Sequence, residues 1–201
     1  QVCATVPTSG LGDLINGTLN NGSAIYEMGP VSTAMERVVI KWLTKEIGYG
    51  DNADGFLTSG GSLGNFTAIL SARQTMSGYD HWKDGKQNKH RPAIMVSEEA
   101  HYSVTRSVQM LGWGEDAVIK LPTNSKHAVR ADCLQDIFNE KKLEGFHILA
   151  LVANACSTST GSYDPLEEMA DFCEENNIWM HADGAHGGAA AISPKYKHLT
   201  K

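Results

Sequence analysis

Short apolar runs separated by helix-patterned segments constrain this chain more than any other feature. The runs are Phe56-Leu57, Ala93-Ile94-Met95-Val96, Ala117-Val118-Ile119-Lys120-Leu121, Phe146 to Val152, and Ile178-Trp179-Met180-His181-Ala182. Between them lie helical faces. Phe66, Ile69, Leu70 and Met76 mark one, and Tyr102 to Leu111, stopped by Gly112, marks the next. Asp132 is expected to cap a helix through Leu134, Ile137 and Phe138 that ends near Gly145. Asp164-Pro165-Leu166-Glu167 reads as the best helix start, with an N-cap Asp, Pro at N1 and an acid at N3. Parallel strands need such crossover helices, so the pattern predicts an α/β fold, a mainly parallel sheet flanked by helices. Strands are expected near 56–58, 93–97, 117–121, 147–152 and 178–182.

The first 30 residues are rich in Gly, Asn, Ser and Thr and read as irregular structure with one short helix. Val31, Met35, Val38, Val39, Trp42 and Leu43 then predict a helix closed by Gly48, and residues 78–91 an exposed polar loop. A net charge of −6 argues against nucleic acid or an anionic membrane surface as a partner. No apolar run approaches a membrane span. The N-terminus shows no signal peptide and no initiator Met, so the start is expected upstream. Cys3, Cys133, Cys156 and Cys173 are scattered without a CxxC pair, which predicts a reduced, cytoplasmic chain rather than a disulfide or zinc framework.

Ligands of open α/β sheets bind beyond the carboxyl ends of the strands, so the residues there carry the chemistry. Gly60-Gly61-Ser62 opens a helix whose free N–H groups can meet a phosphate, although a simple tight turn reads the same way. His101 follows the strand at 93–97; it can stack on a planar ligand, move a proton, or merely begin a helix. Asp183 ends the strand at 178–182 and is followed by Gly184, Ala185, Gly187, Gly188 and Ala189. A carboxylate there needs a partner, and the small residues let something flat approach; a protonated ring nitrogen satisfies both, while a turn cap accounts for the acid alone. His181, Asp183 and His186 could also be read as metal ligands. The turn before His186 and the lack of a nearby Glu base argue against it, so no metal site is expected.

Five segments occur in one order: Thr58-Ser59-Gly60-Gly61-Ser62-Leu63-Gly64-Asn65, Ala72-Arg73, Ser97 to Ser103, Asp164-Pro165-Leu166, and Trp179 to Gly188. Together they resemble the group II pyridoxal-phosphate amino-acid decarboxylases: the glutamate, cysteine-sulfinate, diaminobutyrate and aromatic amino-acid enzymes. Tyr26-Glu27, Pro30-Val31 and Glu36 are similar to that family's dimer-forming segment. The resemblance implies the large domain of fold-type I pyridoxal-phosphate enzymes, with residues 1–50 an N-terminal segment carrying a dimer-forming helix and 51–201 an incomplete cofactor-binding domain. It implies pyridoxal 5'-phosphate as cofactor, an amino acid as substrate and a homodimer. Gly61 and Ser62 would hold the phosphate. His101 would stack on the ring, Ala185 would pack under its other face, and Asp183 would pair with the ring nitrogen. Thr158 would lie near the ring and the substrate carboxylate. Cys156-Ser157-Thr158 stands where the family usually has Gly-Thr-Thr.

The family's Schiff-base lysine follows a His. No His-Lys pair occurs here; His198 is followed by Leu199, and Lys195, Lys197 and Lys201 stand in a different context. The chain is therefore expected to be the central portion of a longer subunit, inactive on its own. The resemblance implies decarboxylation of an L-amino acid to its amine and carbon dioxide. Alternatives are another pyridoxal-phosphate lyase or transaminase of the same fold, or a non-catalytic homologue acting through its dimer surface.

Overall fold

The computed structural model describes residues 5–85 and 91–200. The chain divides into two compact units, Gln1–Leu57 and Thr58–Lys201.

The first unit contains α1 (Ser9–Leu19), a short 3-10 turn (Tyr26–Met28) and α2 (Pro30–Ile47). Pro30 opens α2 at a position where its missing N–H costs nothing. Gly48 closes it with φ +95° and an N–H donated to Thr44 O, a left-handed cap that a side chain would strain. Ile40 is the one residue of α2 that is buried. Ile25, Met28, Val31, Met35 and Val38 are each more than half exposed.

The second unit is built on a parallel sheet of β1 (Arg91–Ser97), β2 (Val118–Leu121), β3 (Phe146–Asn154) and β4 (Trp179–Asp183), in the order β2-β1-β3-β4. It is joined by α3 (Gly61–Met76), α4 (His81–Asp84), α5 (Tyr102–Met110), α6 (Leu134–Leu143) and α7 (Leu166–Asn176). β1 and β3 are continuous apolar runs, as strands covered on both faces require. Ile94, Met95, Val96, Leu151 and Val152 are fully buried, and Ile69, Val104, Val108, Phe138, Met169 and Phe172 cover them from the helices. Chain order runs from β1 to β2 on one side and to β3 and β4 on the other. The crevice at the carboxyl ends therefore opens where β1 and β3 adjoin. Asn154 lies opposite Asp183 at that end.

The sequence pattern is corrected in four places. Residues 56–58 form no strand: Phe56 and Leu57 are 59% and 57% exposed, and Leu57 N–H donates to Glu36 Oε1 at 2.6 Å instead of entering a ladder. The polar stretch after 78 contains α4, capped by Asp80, whose carboxylate accepts from Trp82 and Lys83 N–H; residues 86–90 lie outside the described residues. Asp132 caps no helix. Its carboxylate is held by Arg130 at 2.6 Å, an exposed pair that keeps it below the usual carboxylate range, and α6 starts at Leu134 after a 3-10 turn. Asp164 does not cap α7 either. Its carboxylate turns inward and accepts from Val129 N–H at 2.9 Å and Asn154 N–H at 2.7 Å, which ties the end of β3 to the loop after β2.

Burial pushes the Asp164 carboxyl above its ordinary 3.8, partly offset by those N–H donors. The folded chain thus holds this proton more tightly than the unfolded chain. Stability from this group is present below pH 3.8 and falls as pH rises through the raised folded value. Asp164→Asn should remove that part of the pH slope. Near neutral pH it should cost about 1–3 kcal/mol, because one buried N–H then faces an amide NH2. Urea unfolding of variant and wild type across pH checks both; equal midpoints at neutral pH would contradict the anchoring role.

Candidate active site

α3 begins at Gly61 without a side-chain cap. Gly60 O accepts from Leu63 and Gly64 N–H at 3.1 Å each, and among the described residues no acceptor meets the N–H groups of Gly61 and Ser62. The helix thus presents two free donors at its positive end. A Cβ on Gly61 would stand 2.8 Å from the Ala185 Cβ, so the absence of a side chain is what lets α3 start against the turn after β4.

One turn further along α3, Asn65 is 3% exposed and faces the carboxyl end of β4. Its Nδ2 donates to Asp183 Oδ2 at 2.8 Å and to Ser103 Oγ at 2.9 Å. Its Oδ1 lies 2.8 Å from His181 Nε2. Asp183, 8% exposed, also accepts from Ala185 N–H at 3.1 Å through Oδ1. The turn-cap role and the carboxylate-with-a-partner role are therefore both present in this side chain.

His101 precedes α5 and caps it: its Nδ1 accepts from Ser103 N–H at 3.3 Å and lies 2.7 Å from Ser103 Oγ. The ring is half-buried and stacks at a tilt on Tyr102, 4.2 Å between centroids. His101, Ser103, Asn65, Asp183 and His181 thus form one continuous hydrogen-bonded set drawn from α3, α5 and β4. Burial pulls the His181 imidazole below its ordinary value, and the nearby Asp183 charge only partly opposes this.

The loop after β3 is tied to the segment before His101 and to the turn after β4. Ser157 Oγ donates to Glu99 O at 3.0 Å, two residues before His101. Thr158 is half-buried beside it and takes no part in the hydrogen-bonded set among the described residues. Tyr163 Oη donates to Gly187 O at 3.0 Å; burial first, and then Cys156, raises this phenol above its ordinary value. Gly187 carries the tightest constraint here. A Cβ on it would overlap Cys156 N, reach 2.6 Å from Tyr163 Oη and come within 2.8 Å of Ala155 O.

The sequence-predicted residues Gly61, Ala185, Asp183 and His101 fall into one place, and Ser62 lies beside Gly61 at the helix start. Sequence reasoning gave no part in the site to Asn65 or Ser103, and considered His181 only as a metal ligand. The signals were there: Asn65 lies one turn beyond Gly61, Ser103 two residues after His101, and His181 two before Asp183 on the same strand face. Among the described residues no three His, Cys, Asp or Glu side chains gather in a way that could hold a metal ion. Lys195 Nζ lies 4.9 Å over the Tyr196 ring, and Lys201 is outside the described residues.

An uncapped helix start, a buried carboxylate and the small residues Gly184 and Ala185 thus meet in one place. Residues 4–201 match the family model described as the pyridoxal-dependent decarboxylase conserved domain, and the chain belongs to that family. It is 29% identical over 210 residues to an L-2,4-diaminobutyrate decarboxylase of Acinetobacter baumannii, covering 98% of this chain and 41% of the relative. It is 33% identical over 193 residues to a glutamate decarboxylase-like protein of Gibberella zeae, covering 94% and 36%. Among solved structures, the glutamate decarboxylase domain of diaminobutyrate-pyruvate transaminase and L-2,4-diaminobutyrate decarboxylase from Vibrio parahaemolyticus superposes with a TM-score of 0.92. That pair is 28% identical and covers 98% of this chain and 44% of the other. The fold is that of the fold-type I class to which these structures belong. The chain spans about two fifths of the length of the curated relatives it matches.

Gly187→Ala should destabilise the protein by about 1–3 kcal/mol, the usual cost of forcing atoms into a packed region. Gly188→Ala should be near neutral, since nothing lies within 4 Å of a Cβ there. Thermal unfolding of the two variants side by side checks this; equal effects would contradict the packing described around Gly187.

Proposed function

We propose that the protein catalyses pyridoxal 5'-phosphate-dependent decarboxylation of an L-amino acid to its amine and carbon dioxide. The observation that carries the reading is Asp183. It is a buried carboxylate fixed by two donors and set beside an uncapped helix start, with Gly184 and Ala185 directly after it. The residues present fit the cofactor: two free N–H groups suit its phosphate, and an acceptor suits its ring nitrogen.

When bound, the cofactor supplies an electron sink for the pair released as the bond from Cα to the carboxylate breaks. Gly61 and Ser62 bind the phosphate through their amide N–H groups, with the positive end of α3 behind them. Asp183 holds a proton on the ring nitrogen, and Asn65 and Ala185 keep the carboxylate aimed. His101 would cover one face of the ring and Ala185 the other. Thr158, on the loop joined to residue 99 through Ser157, would lie near the substrate carboxylate.

Residues 51–201 act in this reading as the cofactor-binding domain and residues 1–50 as an N-terminal segment with a dimer-forming helix. The exposed apolar residues Val31, Met35 and Val38 support a homodimer formed through α2. The free thiols of Cys133, Cys156 and Cys173 suit a reducing compartment, and the cytoplasm is the proposed location.

The full-length protein, incubated with cofactor and a panel of amino acids, should release carbon dioxide and the matching amine from at least one. Keto acid release without carbon dioxide would contradict the reading. Asp183→Asn should retain much of the cofactor, through Gly61 and Ser62, while turnover falls at least about 10²-fold, or about 2.7 kcal/mol. Turnover near wild type with cofactor bound would show that Asp183 does not serve the ring nitrogen.

A further inference from the structure

We propose that Ser103 holds His101 as the Nε2–H tautomer, and that Asn65 is a positioning residue that permits this by offering Ser103 Oγ a donor rather than an acceptor while setting the direction of the hydrogen bonds around Asp183. The inference deepens the proposed function only in supposing that His101 and Asp183 face the cofactor; the hydrogen-bond geometry stands without it.

The argument is a count of donors and acceptors. An ionised Asp183 can only accept, so Asn65 turns its NH2 toward Oδ2. The second hydrogen of that NH2 goes to Ser103 Oγ. Asn65 Oδ1 is then left as an acceptor, and its neighbour at 2.8 Å, His181 Nε2, must carry the hydrogen that reaches it. Asn65 is 3% exposed, so no solvent molecule relaxes these assignments cheaply.

The consequence passes to His101 through Ser103. Ser103 Oγ already receives a hydrogen from Asn65. Its own hydrogen has one remaining partner among the described residues, His101 Nδ1 at 2.7 Å. Ser103 N–H points at the same nitrogen from 3.3 Å. Two donors converging on Nδ1 leave it as a bare lone pair, so the neutral ring carries its hydrogen on Nε2. The far edge of the imidazole, which nothing on α5 engages, is thereby a donor edge. In the proposed reaction that edge meets substrate or cofactor groups able to accept.

The test replaces Asn65 by residues of similar size and different polarity in the full-length, cofactor-free protein. Long-range proton–nitrogen spectra of ¹⁵N-histidine-labelled protein report which ring nitrogen is protonated. Wild type should show His101 as Nε2–H. Asn65→Leu removes both donors but leaves the Ser103 hydroxyl pointing at Nδ1, so His101 should stay Nε2–H. Asn65→Asp offers Ser103 an acceptor in place of a donor. The hydroxyl should turn toward it, and His101 should shift measurably toward Nδ1–H. A role in packing alone predicts no difference in tautomer between the two variants.

Wild type with His101 as Nδ1–H would overturn the proposal, as would a folded Asn65→Asp protein with unchanged His101 signals. Should Asn65→Asp fail to fold, the wild-type and Asn65→Leu spectra still decide, because Nδ1–H in either would contradict the donor count at Ser103. Failure of the full-length protein to bind cofactor or release carbon dioxide would instead remove the proposed function and leave the tautomer result standing.

Discussion

The hydrogen bond between Asn65 and Asp183 is the contact on which the rest of the site depends. A buried carboxylate without donors costs several kcal/mol, and the usual escape is to take up a proton. Here an amide from α3 and an N–H from the turn at Ala185 meet the two oxygens separately. The bond joins residues 118 apart in sequence, so it fixes the start of α3 against the end of β4. Gly61, one turn before Asn65, is then brought against Ala185 with room for no Cβ between them. The free amides at the helix start and the buried acceptor are set at a fixed separation by a single polar contact.

The sheet supplies the frame for this contact. With β1 central and the chain leaving it in both directions, the loops after β1, β3 and β4 all open on one crevice. Each contributes differently. The segment after β1 carries His101 and tethers it by capping α5. The loop after β3 is drawn in by Ser157 and the Tyr163 hydroxyl, and the turn after β4 is kept small by Gly187. Asp164 is buried and accepts from main-chain N–H groups at the end of β3 and in the loop after β2.

Much of this was legible in the sequence because periodicity and burial act locally. β1, β3 and α3 are long enough that their apolar patterns decide them, and Gly48 ends α2 where a left-handed residue is needed. Asp183 and His101 stood out because strand ends in such sheets face the ligand. The misreadings share one cause. Asp132 and Asp164 both look like helix caps within their own segments. Other groups claimed both carboxylates instead: Arg130, two residues away, for the one, and Val129 and Asn154, 35 and 10 residues away, for the other. Phe56-Leu57 has the composition of a strand but enters no ladder among the described residues. The spacing of Asn65 and Ser103 from Gly61 and His101 does not by itself place them in the site, because a polar side chain on a helix reads as surface until the opposite element is known. Only the approach of β4 and α5 makes them buried and shared.

The proposed function rests on one physical claim: a fixed negative charge at Asp183 would keep a bound pyridine nitrogen protonated. The direct measurement is the nitrogen chemical shift of ring-¹⁵N-labelled pyridoxal 5'-phosphate bound to the full-length protein at neutral pH. A shift in the protonated range, moved to the unprotonated range in Asp183→Ala, is the predicted result. An unprotonated ring nitrogen in the wild-type protein would contradict it.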